Sequence, residues 1–475
     1  MLYEAWRTTL MATRLAHRGF LLVVLVFLWG CASTYTEKIE EGLSSYRQGR
    51  MAQAESSFND AESRTRDVHL TRLELGMTRL ALDRPADAAA SFQRAIDRMD
   101  SLTTGNNLRT AASYVLDDTL EDYPGAPFEQ ICARLFNGMA YLLQENPYEN
   151  FSAAYRDMDI KMEQIEAYYE RSYMFDGDGE SAEFSFQIPP VAKYFAALAA
   201  EQRHELDNAE IYLKQALEGM PGCSFFRSEL KRVEQGGREN RLFVFALLGM
   251  VPHKIETTSE ELTAVLRGIK ALLAVVKPKS NPGPIERTVL TAPVQIPGYP
   301  QRKPLWHGGF EVVPSRGGGG GGVSTQLVAD FDRYAREEYR ALLPGLLIRT
   351  AVRRLIKEAT GQMVGQAVIK DNKKASKLIG DVVSSLFSVA ETVDTRSWCT
   401  LPYAFHAASL ELPAGCRSVI LTPQRPCGGT LGPPIELALD RSNTEPAYML
   451  IIQPGPRSRP FVLVDAEHRI APATP

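Results

Sequence analysis

The chain is poor in the residues that build metal and redox sites. Seven histidines and six cysteines are spread over 475 residues. No C-x-x-C occurs and no zinc-ligand spacing is found, so neither a metal site nor a cofactor is expected. An excess of one charge is also missing. Fifty-three Lys and Arg stand against 57 Asp and Glu, a net charge of -4, and the basic residues are dispersed among acids. That pattern argues against a nucleic-acid surface. No apolar run reaches the roughly 20 residues needed to span a bilayer as a helix. A G-x-S-x-G, an H-E-x-x-H and a Cys–His pair in a plausible local context are all absent, and no catalytic residue is assigned. With 44% hydrophobic and 23% charged residues, the chain can bury ordinary cores and has room for two or three domains of about 150 residues.

What apolar run there is lies near the start, in "RGFLLVVLVFLWGCAS", residues 18–33. Arg14, His17 and Arg18 precede it and small residues follow, the layout of an export signal over residues 1–30. Leu28, Gly30 and Cys31 resemble a bacterial lipobox, with Trp29 as a bulky departure. The resemblance implies a diacylated, N-acylated Cys31 at the head of a short tether, 31–36. Several acyl chains make a lasting membrane anchor, each buried methylene contributing about 0.8 kcal/mol. A plainly cleaved signal and an uncleaved signal anchor are the alternatives, and Met11 competes with Met1 as the start. Ala32, where enteric lipoproteins retained in the inner membrane carry aspartate, favours the periplasmic face of the outer membrane.

A repeat follows the anchor. In "GLSSYRQGRMAQAESSFNDA" and "GMTRLALDRPADAAASFQRA", the pairs Gly42/Gly76, Gly49/Asp83, Ala54/Ala88, Phe58/Phe92 and Ala61/Ala95 are each 34 residues apart. This is the tetratricopeptide period, with its A-x3-F portion intact but without its early tryptophan. Glycine is expected where the helices of a pair cross, answered by Ala54 and Ala88, with Phe58 and Phe92 filling the groove toward the next repeat and Gly49 or Asp83 turning the chain. A third unit with a lengthened turn surrounds Pro147, and a fourth carries Ala209, Leu213, Ala216 and Pro221. Stacked units over 37–236 form a solenoid with a concave groove suited to a protein partner. Tyr46, Arg47, Arg79 and Asn137 are the inner-helix positions expected to meet it.

Residues 237–475 change character. "RLFVFALLGMVPHK" is β-prone. The proline-rich stretch 278–304 reads as an extended edge or loop, and the glycines at 317–322 as a flexible tip or linker. That run lacks the lysine of a P-loop. A helix pair is expected over 325–390, its first member bearing Arg349, Arg353, Arg354 and Lys357 on a solvated face. Short strands are expected over 398–470 in a small antiparallel sheet or sandwich: "AASLELPAGCRSVILTP" as two runs joined by a turn, then "PIELALD", "AYMLIIQP" and "PFVLVDA". After Cys31, five cysteines remain, read as buried apolar residues with room for one bridge among Cys399, Cys416 and Cys427. "FDGDGESAE", 175–183, resembles a calcium loop but lacks its distal glutamate and reads as a solvated acidic loop.

Three stretches, "YPGAPFEQICARLFNGMAYL" from Tyr123, "LIRTAVRRLIKEATG" from Leu347 and "DTRSWCTLP" from Asp394, resemble a family of bacterial tetratricopeptide outer-membrane lipoproteins of unassigned role. The resemblance implies architecture and location but no reaction. Asp394 and Arg396 are expected to pair, and Trp398 to plug the gap between helices and sheet, with Leu401 and Pro402 completing the motif. The expected fold is therefore α+β multidomain: an N-terminal all-α tetratricopeptide-like solenoid and a smaller α+β domain with antiparallel strands. The expected function is a lipid-anchored periplasmic scaffold for protein partners in cell-envelope assembly, secretion or cell-wall machinery. The alternative is a wall-directed enzyme or regulator with a C-terminal pocket lined by Asp394, Arg396 and Trp398.

Overall fold

A computed structural model describes residues 34–103, 122–173, 189–236, 240–260, 262–264, 267, 294–315, 321–343, 346–347, 350, 393–413, 415–440 and 444–470. The expected signal and Cys31, residues 175–183, most of the proline-rich stretch, residues 316–320, and Arg349 with residues 351–390, where the basic face and the second helix are expected, lie outside them.

Among the described residues, eight helices pair into four hairpins: α1 (Tyr35–Arg47) with α2 (Met51–Glu62), α3 (Val68–Ala81) with α4 (Pro85–Thr103), α5 (Pro127–Leu142) with α6 (Tyr148–Tyr173), and α7 (Pro190–Gln202) with α8 (Leu206–Gly219). Thr34 opens α1 with a capping box, its hydroxyl accepting from the Glu37 N–H at 3.3 Å while the Glu37 carboxylate accepts from the Thr34 N–H at 2.8 Å. Each hairpin turns through a residue in the left-handed region, where a short polar side chain or none is tolerated: Gly49, Asp83, Asn146 and His204. Gly49 and Asp83 are the residues expected at the first two turns.

The crossings differ in one detail from expectation. A methyl added to Gly42 or Gly76 would overlap the ring of Phe58 or Phe92 respectively, and one added to Gly138 would overlap Tyr155. The aromatic of the second helix, rather than its alanine, covers the glycine of the first within the same hairpin. Phe58 and Phe92 are fully buried there. Gly76→Ala is therefore expected to lower stability by about 1–3 kcal/mol through overpacking, read as a reduced urea midpoint. Ala90→Gly, at an exposed position in the interior of α4, should cost only the helix-propensity difference of about 1 kcal/mol.

Helix α9 (Ser224–Glu234) leads into the strands β1 (Arg241–Leu248), β2 (Ile255–Ser259), β3 (Val294–Gly298), β4 (Phe310–Pro314), β5 (Val323–Ser324), β6 (Gln326–Asp330), β7 (Ala404–Glu411), β8 (Ser418–Pro423), β9 (Ile435–Ala438), β10 (Ala447–Gln453) and β11 (Phe461–Val464). A helix, α10, covers 331–343. The strands form a five-stranded sheet β11-β10-β1-β7-β6, a four-stranded sheet β5-β4-β8-β9 and the ribbon β2-β3. Among the described residues, β1 and β10 run parallel and the other strand pairs are antiparallel.

The five-stranded sheet is buried on both faces, which is why β1 and β10 are continuous apolar runs rather than alternating ones. Phe243, Phe245, Leu247, Tyr448, Leu450 and Ile452 share one core with the hairpins. Leu242, Val244, Ala246, Met449 and Ile451 share another with Phe310, Val312, Val419 and Leu421 of the four-stranded sheet. Helices, sheet and sheet thus make three layers, and the first core runs without a break from Tyr35 to Leu463.

One expectation changes. Strand β6 occupies the residues expected to open the first helix of the 325–390 pair, and α10 begins only at Phe331. The runs on either side of "PAG" are the strands β7 and β8, which belong to different sheets. The strands on either side of the glycine run, β4 and β5, pair antiparallel in one sheet. Cys132, Cys223, Cys399 and Cys416 are buried free thiols and Cys427 is an exposed one.

Candidate functional site

The concave groove expected to meet a partner is occupied by the chain itself. The segment 394–402 is held by α3 and α5, first helices of their hairpins. Two carboxylates from those helices hold three consecutive backbone amides. Glu129 Oε1 accepts from the Trp398 N–H at 2.8 Å. Glu74 Oε1 accepts from the Cys399 N–H at 2.8 Å and Oε2 from the Thr400 N–H at 2.8 Å. Tyr35 donates its hydroxyl to Glu74 Oε1 at 3.3 Å. The other Glu129 oxygen accepts from the Tyr123 hydroxyl at 2.8 Å and from the Ala126 N–H at the start of α5 at 2.9 Å.

Trp398, expected to plug the gap between helices and sheet, packs between the second and third hairpins. Its ring centroid is 6.1 Å from that of Phe92 and 5.7 Å, edge-on, from that of Phe136, arrangements that aromatic quadrupoles favour. Phe136 continues to Phe331, and Phe331 to Phe405 of the sheet. The indole N–H is satisfied by Thr400 Oγ1 at 3.0 Å. Arg396 donates through Nε and Nη2 to both Asp394 oxygens at 2.8 Å and through Nη1 to Asp67 at 2.9 Å. Its guanidinium lies 5.3 Å from the Tyr123 ring centroid, a cation–π contact. Leu401 and Pro402 are buried, and the Leu401 carbonyl accepts from the Val251 N–H at 2.8 Å.

Two of the family-like stretches, about 270 residues apart in the chain, therefore meet: Tyr123 and Glu129 from one, Arg396 and Trp398 from the other. The stretch from Leu347 lies largely outside the described residues. Asp394, Arg396 and Trp398 do not ring an open cleft; Arg396 and Trp398 are buried, and the polar groups of the three are satisfied within the protein. Further along, Arg232 of α9 joins Glu201 of α7 at 2.5 Å and Glu229 at 3.0 Å in a buried cluster, and Glu229 accepts from the Ser409 hydroxyl of β7. At the other end, Gly455 packs on the Arg47 carbonyl and Arg469 pairs with Asp83 at 2.7 Å, so the C-terminal part also touches the first two hairpin turns.

The four positions expected to meet a partner are placed differently. Tyr46 is 1% exposed. Arg79 is half-buried, donating to Glu55 of α2 at 2.9 Å and to Ser91 of α4 at 2.6 Å. Asn137 is buried and donates to Gln93 at 2.9 Å. Arg47 is exposed, beside the β10–β11 connection. Sequence reasoning missed Glu74, whose signal was a carboxylate set among apolar residues on an inner helix, as in "LELGM", and gave no role to Glu129, the glutamate of the family-like stretch from Tyr123.

Burial raises the Glu74 carboxyl to about 7 despite the donors around it. It raises Glu338 of α10, helped by nearby Glu129 and opposed by the Phe128 N–H and Lys254, to about 8. Both lie above the ordinary 4.5, so the folded state holds these protons more tightly than the unfolded one. Their contribution to stability is full below about pH 4.5 and is lost as pH rises toward 7 and 8. Burial pushes His307 and His406 down to about 4, so their contribution is lost in the other direction, on acidification below 6.5. Glu338→Gln keeps an acceptor for the Phe128 N–H, which Glu338 accepts at 3.2 Å. Relative to the parent, this variant is expected to gain stability between pH 5 and 8, each unit of removed pKa shift being worth about 1.4 kcal/mol. Urea midpoints at the two pH values read the gain.

Solved structures similar to this chain are helical-repeat proteins. A thermophilic TPR protein of Thermus thermophilus matches at a TM-score of 0.19 and 13% identity, over 42% of this chain and 100% of its own. A tetratricopeptide repeat protein from Parabacteroides merdae matches at 0.19 and 17%, over 42% and 74%, and MamA protein at 0.17 and 20%, over 39% and 91%. No family model matches the chain, and no curated protein matches it. At such TM-scores the tetratricopeptide-like character rests on the hairpins themselves: glycine under aromatic at each of the first three crossings, and a left-handed residue at each of the four turns.

Proposed function

We propose that the protein is a lipid-anchored scaffold of the cell envelope, held through Cys31 at the periplasmic face of the outer membrane, that binds protein partners with the outer surface of its helical repeat. The observation that carries this reading is the inner face filled by residues 394–402, with Glu74 and Glu129 bonded to the Trp398, Cys399 and Thr400 amides. A repeat whose groove is already engaged serves the chain as a cradle for its own β layers. What it offers other proteins is the second helix of each hairpin. The anchor holds that surface near envelope partners and raises their effective concentration, which makes weak contacts count.

Photo-crosslinking residues placed one at a time at exposed Gln53, Arg94, Gln164 and Lys214 in the full-length chain in cells test the reading. Discrete adducts with envelope proteins are expected. Absence of adducts from every position would overturn it. A fatty-acid probe tests the anchor separately: incorporation should disappear in Cys31→Ala, and unchanged incorporation would place the lipid elsewhere.

A further inference from the structure

Four arginines meet at one corner of the fold. Arg47 and Arg50 flank the first hairpin turn, "RQGR", and Arg457 and Arg459 sit in the β10–β11 connection, "PGPRSRP"; all four are exposed. Backbone contact brings the two segments together. A Cβ on Gly455 would overlap the Arg47 carbonyl, and one on Gly49 would stand 3.0 Å from Ser458 Cβ. With successive Cα atoms about 3.8 Å apart, the four arginine Cα positions fall within about 15 Å of one another. Each segment is also tied to its own end of the fold. The Gly49 N–H donates to the Tyr46 carbonyl and the Arg50 N–H to that of Ser45, both at 2.9 Å. The Ser458 hydroxyl donates to the Gly455 carbonyl at 2.8 Å, and the Gln453 amide to the Ser458 carbonyl at 3.1 Å. The four charges therefore stand on backbone that has little ordering left to lose when a ligand meets them.

The neighbouring carboxylates are engaged elsewhere. Glu55 of α2 accepts from Arg79 at 2.9 Å and from Arg84 at 2.8 Å, Asp87 of α4 from Arg84 at 2.7 Å, and Asp83 of the second turn from Arg469 at 2.7 Å. Glu40 of α1 and Arg47 both lie near enough to His253 to act on its charge, with opposite signs. Glu467 follows β11, at the end of that strand away from the connection. Among the described residues, none of the four arginines forms an ion pair with a carboxylate, while the arginines beside them do.

Such a corner calls for an anion, and the helix that leads to it narrows the choice. If the anchor is at Cys31, α1 begins within three residues of the bilayer, and its 13 residues carry Arg47 about 20 Å along the helix axis. Bilayer surface potential decays over about 8 Å at physiological salt. The arginines would reach headgroups only with α1 lying along the surface. On the exposed stripe that ends at Arg47, however, stand Glu37, Glu40 and Glu41, which an anionic bilayer repels. Arginine, moreover, offers a planar fork that bonds a carboxylate through two parallel N–H groups. We infer that the corner formed by Arg47, Arg50, Arg457 and Arg459 docks an acidic segment of a partner protein, its Asp and Glu carboxylates received by the guanidinium groups. The inference rests on the scaffold reading for the partner being a protein, and it adds that partner's chemistry.

A photo-crosslinking residue at exposed position 48 of the full-length chain in cells, with the captured peptide mapped by mass spectrometry, tests it. The expected product is a segment rich in Asp and Glu. Its yield should fall about tenfold in the double variant Arg457→Glu with Arg459→Glu, and less in Arg457→Lys with Arg459→Lys, which keeps the charge but not the fork. The thermal midpoint should be unchanged in both. Capture of phospholipid or lipopolysaccharide in place of protein, of a basic or neutral segment, of a second copy of this chain, or of the same segment undiminished by the double Glu variant would overturn the inference. No capture at 48 alongside adducts at Arg94, Gln164 or Lys214 would overturn the arginine corner and leave the scaffold standing. No adduct from any position would remove both.

Discussion

Trp398→Ala is expected to cost about 3–5 kcal/mol, the range for deleting a large buried aromatic. The ring is 2% exposed and packs on Phe92 of the second hairpin and Phe136 of the third. Phe92 in turn lies flat on Gly76, so the hole left by the indole borders a ring that cannot retreat without opening the α3–α4 crossing. Little collapse is possible, which puts the cost toward the upper end of that range. Because one core runs from the hairpins into the sheet, helical circular dichroism and near-ultraviolet signals should fall together in urea, in the parent and in the variant. Trp398→Phe should recover part of the loss, since it restores ring contacts but not the bond to Thr400.

Glu74→Ala should be nearly as damaging for a different reason. Cys399 and Thr400 would each keep a buried N–H with no acceptor, and the Tyr35 hydroxyl would lose its partner. Each orphaned donor costs about 1–3 kcal/mol. Glu74→Gln separates hydrogen bonding from charge and volume. Its carbonyl can accept from one amide, but its NH2 must face the other donor, so a loss of about 1–3 kcal/mol remains. Since the Glu74 carboxyl is raised to about 7, the parent itself gains stability at this position on acidification toward pH 5, and the neutral variant lacks that gain. Urea titrations of the three proteins at pH 5 and 8 check both the size and the pH slope.

The hairpins were legible because their packing needs a glycine and an aromatic at a set distance, and the period repeats before any tertiary contact is known. The third hairpin holds the same pair, Gly138 under Tyr155, displaced by one residue because its turn is longer. The strands β1, β8, β9, β10 and β11 were legible as apolar or alternating runs. Their partners were not. β1 lies beside β10, some 200 residues later and parallel, and a buried run says only that both faces are covered, not by what.

The same limit explains the inner face. Polar residues such as Arg79 and Asn137 on inner helices look free when the second hairpin helices are imagined bare, yet Glu55 and Gln93 reach them from those helices. A carboxylate among leucines, as at Glu74, marks a buried acceptor awaiting donors. Its amide donors, the successive N–H groups of Cys399 and Thr400 beside a tryptophan, lie more than 320 residues away, and no local pattern links the two.

Amide hydrogen exchange of the native full-length chain at Trp398, Cys399 and Thr400 reads the occupied groove residue by residue. Protection matching that of core amides in α3 and α5, and lowered selectively at Cys399 and Thr400 by Glu74→Gln, is the expected result. Exchange at the rate of an exposed loop, unchanged by that substitution, would mean that the inner face is open and that the chain does not fill its own groove.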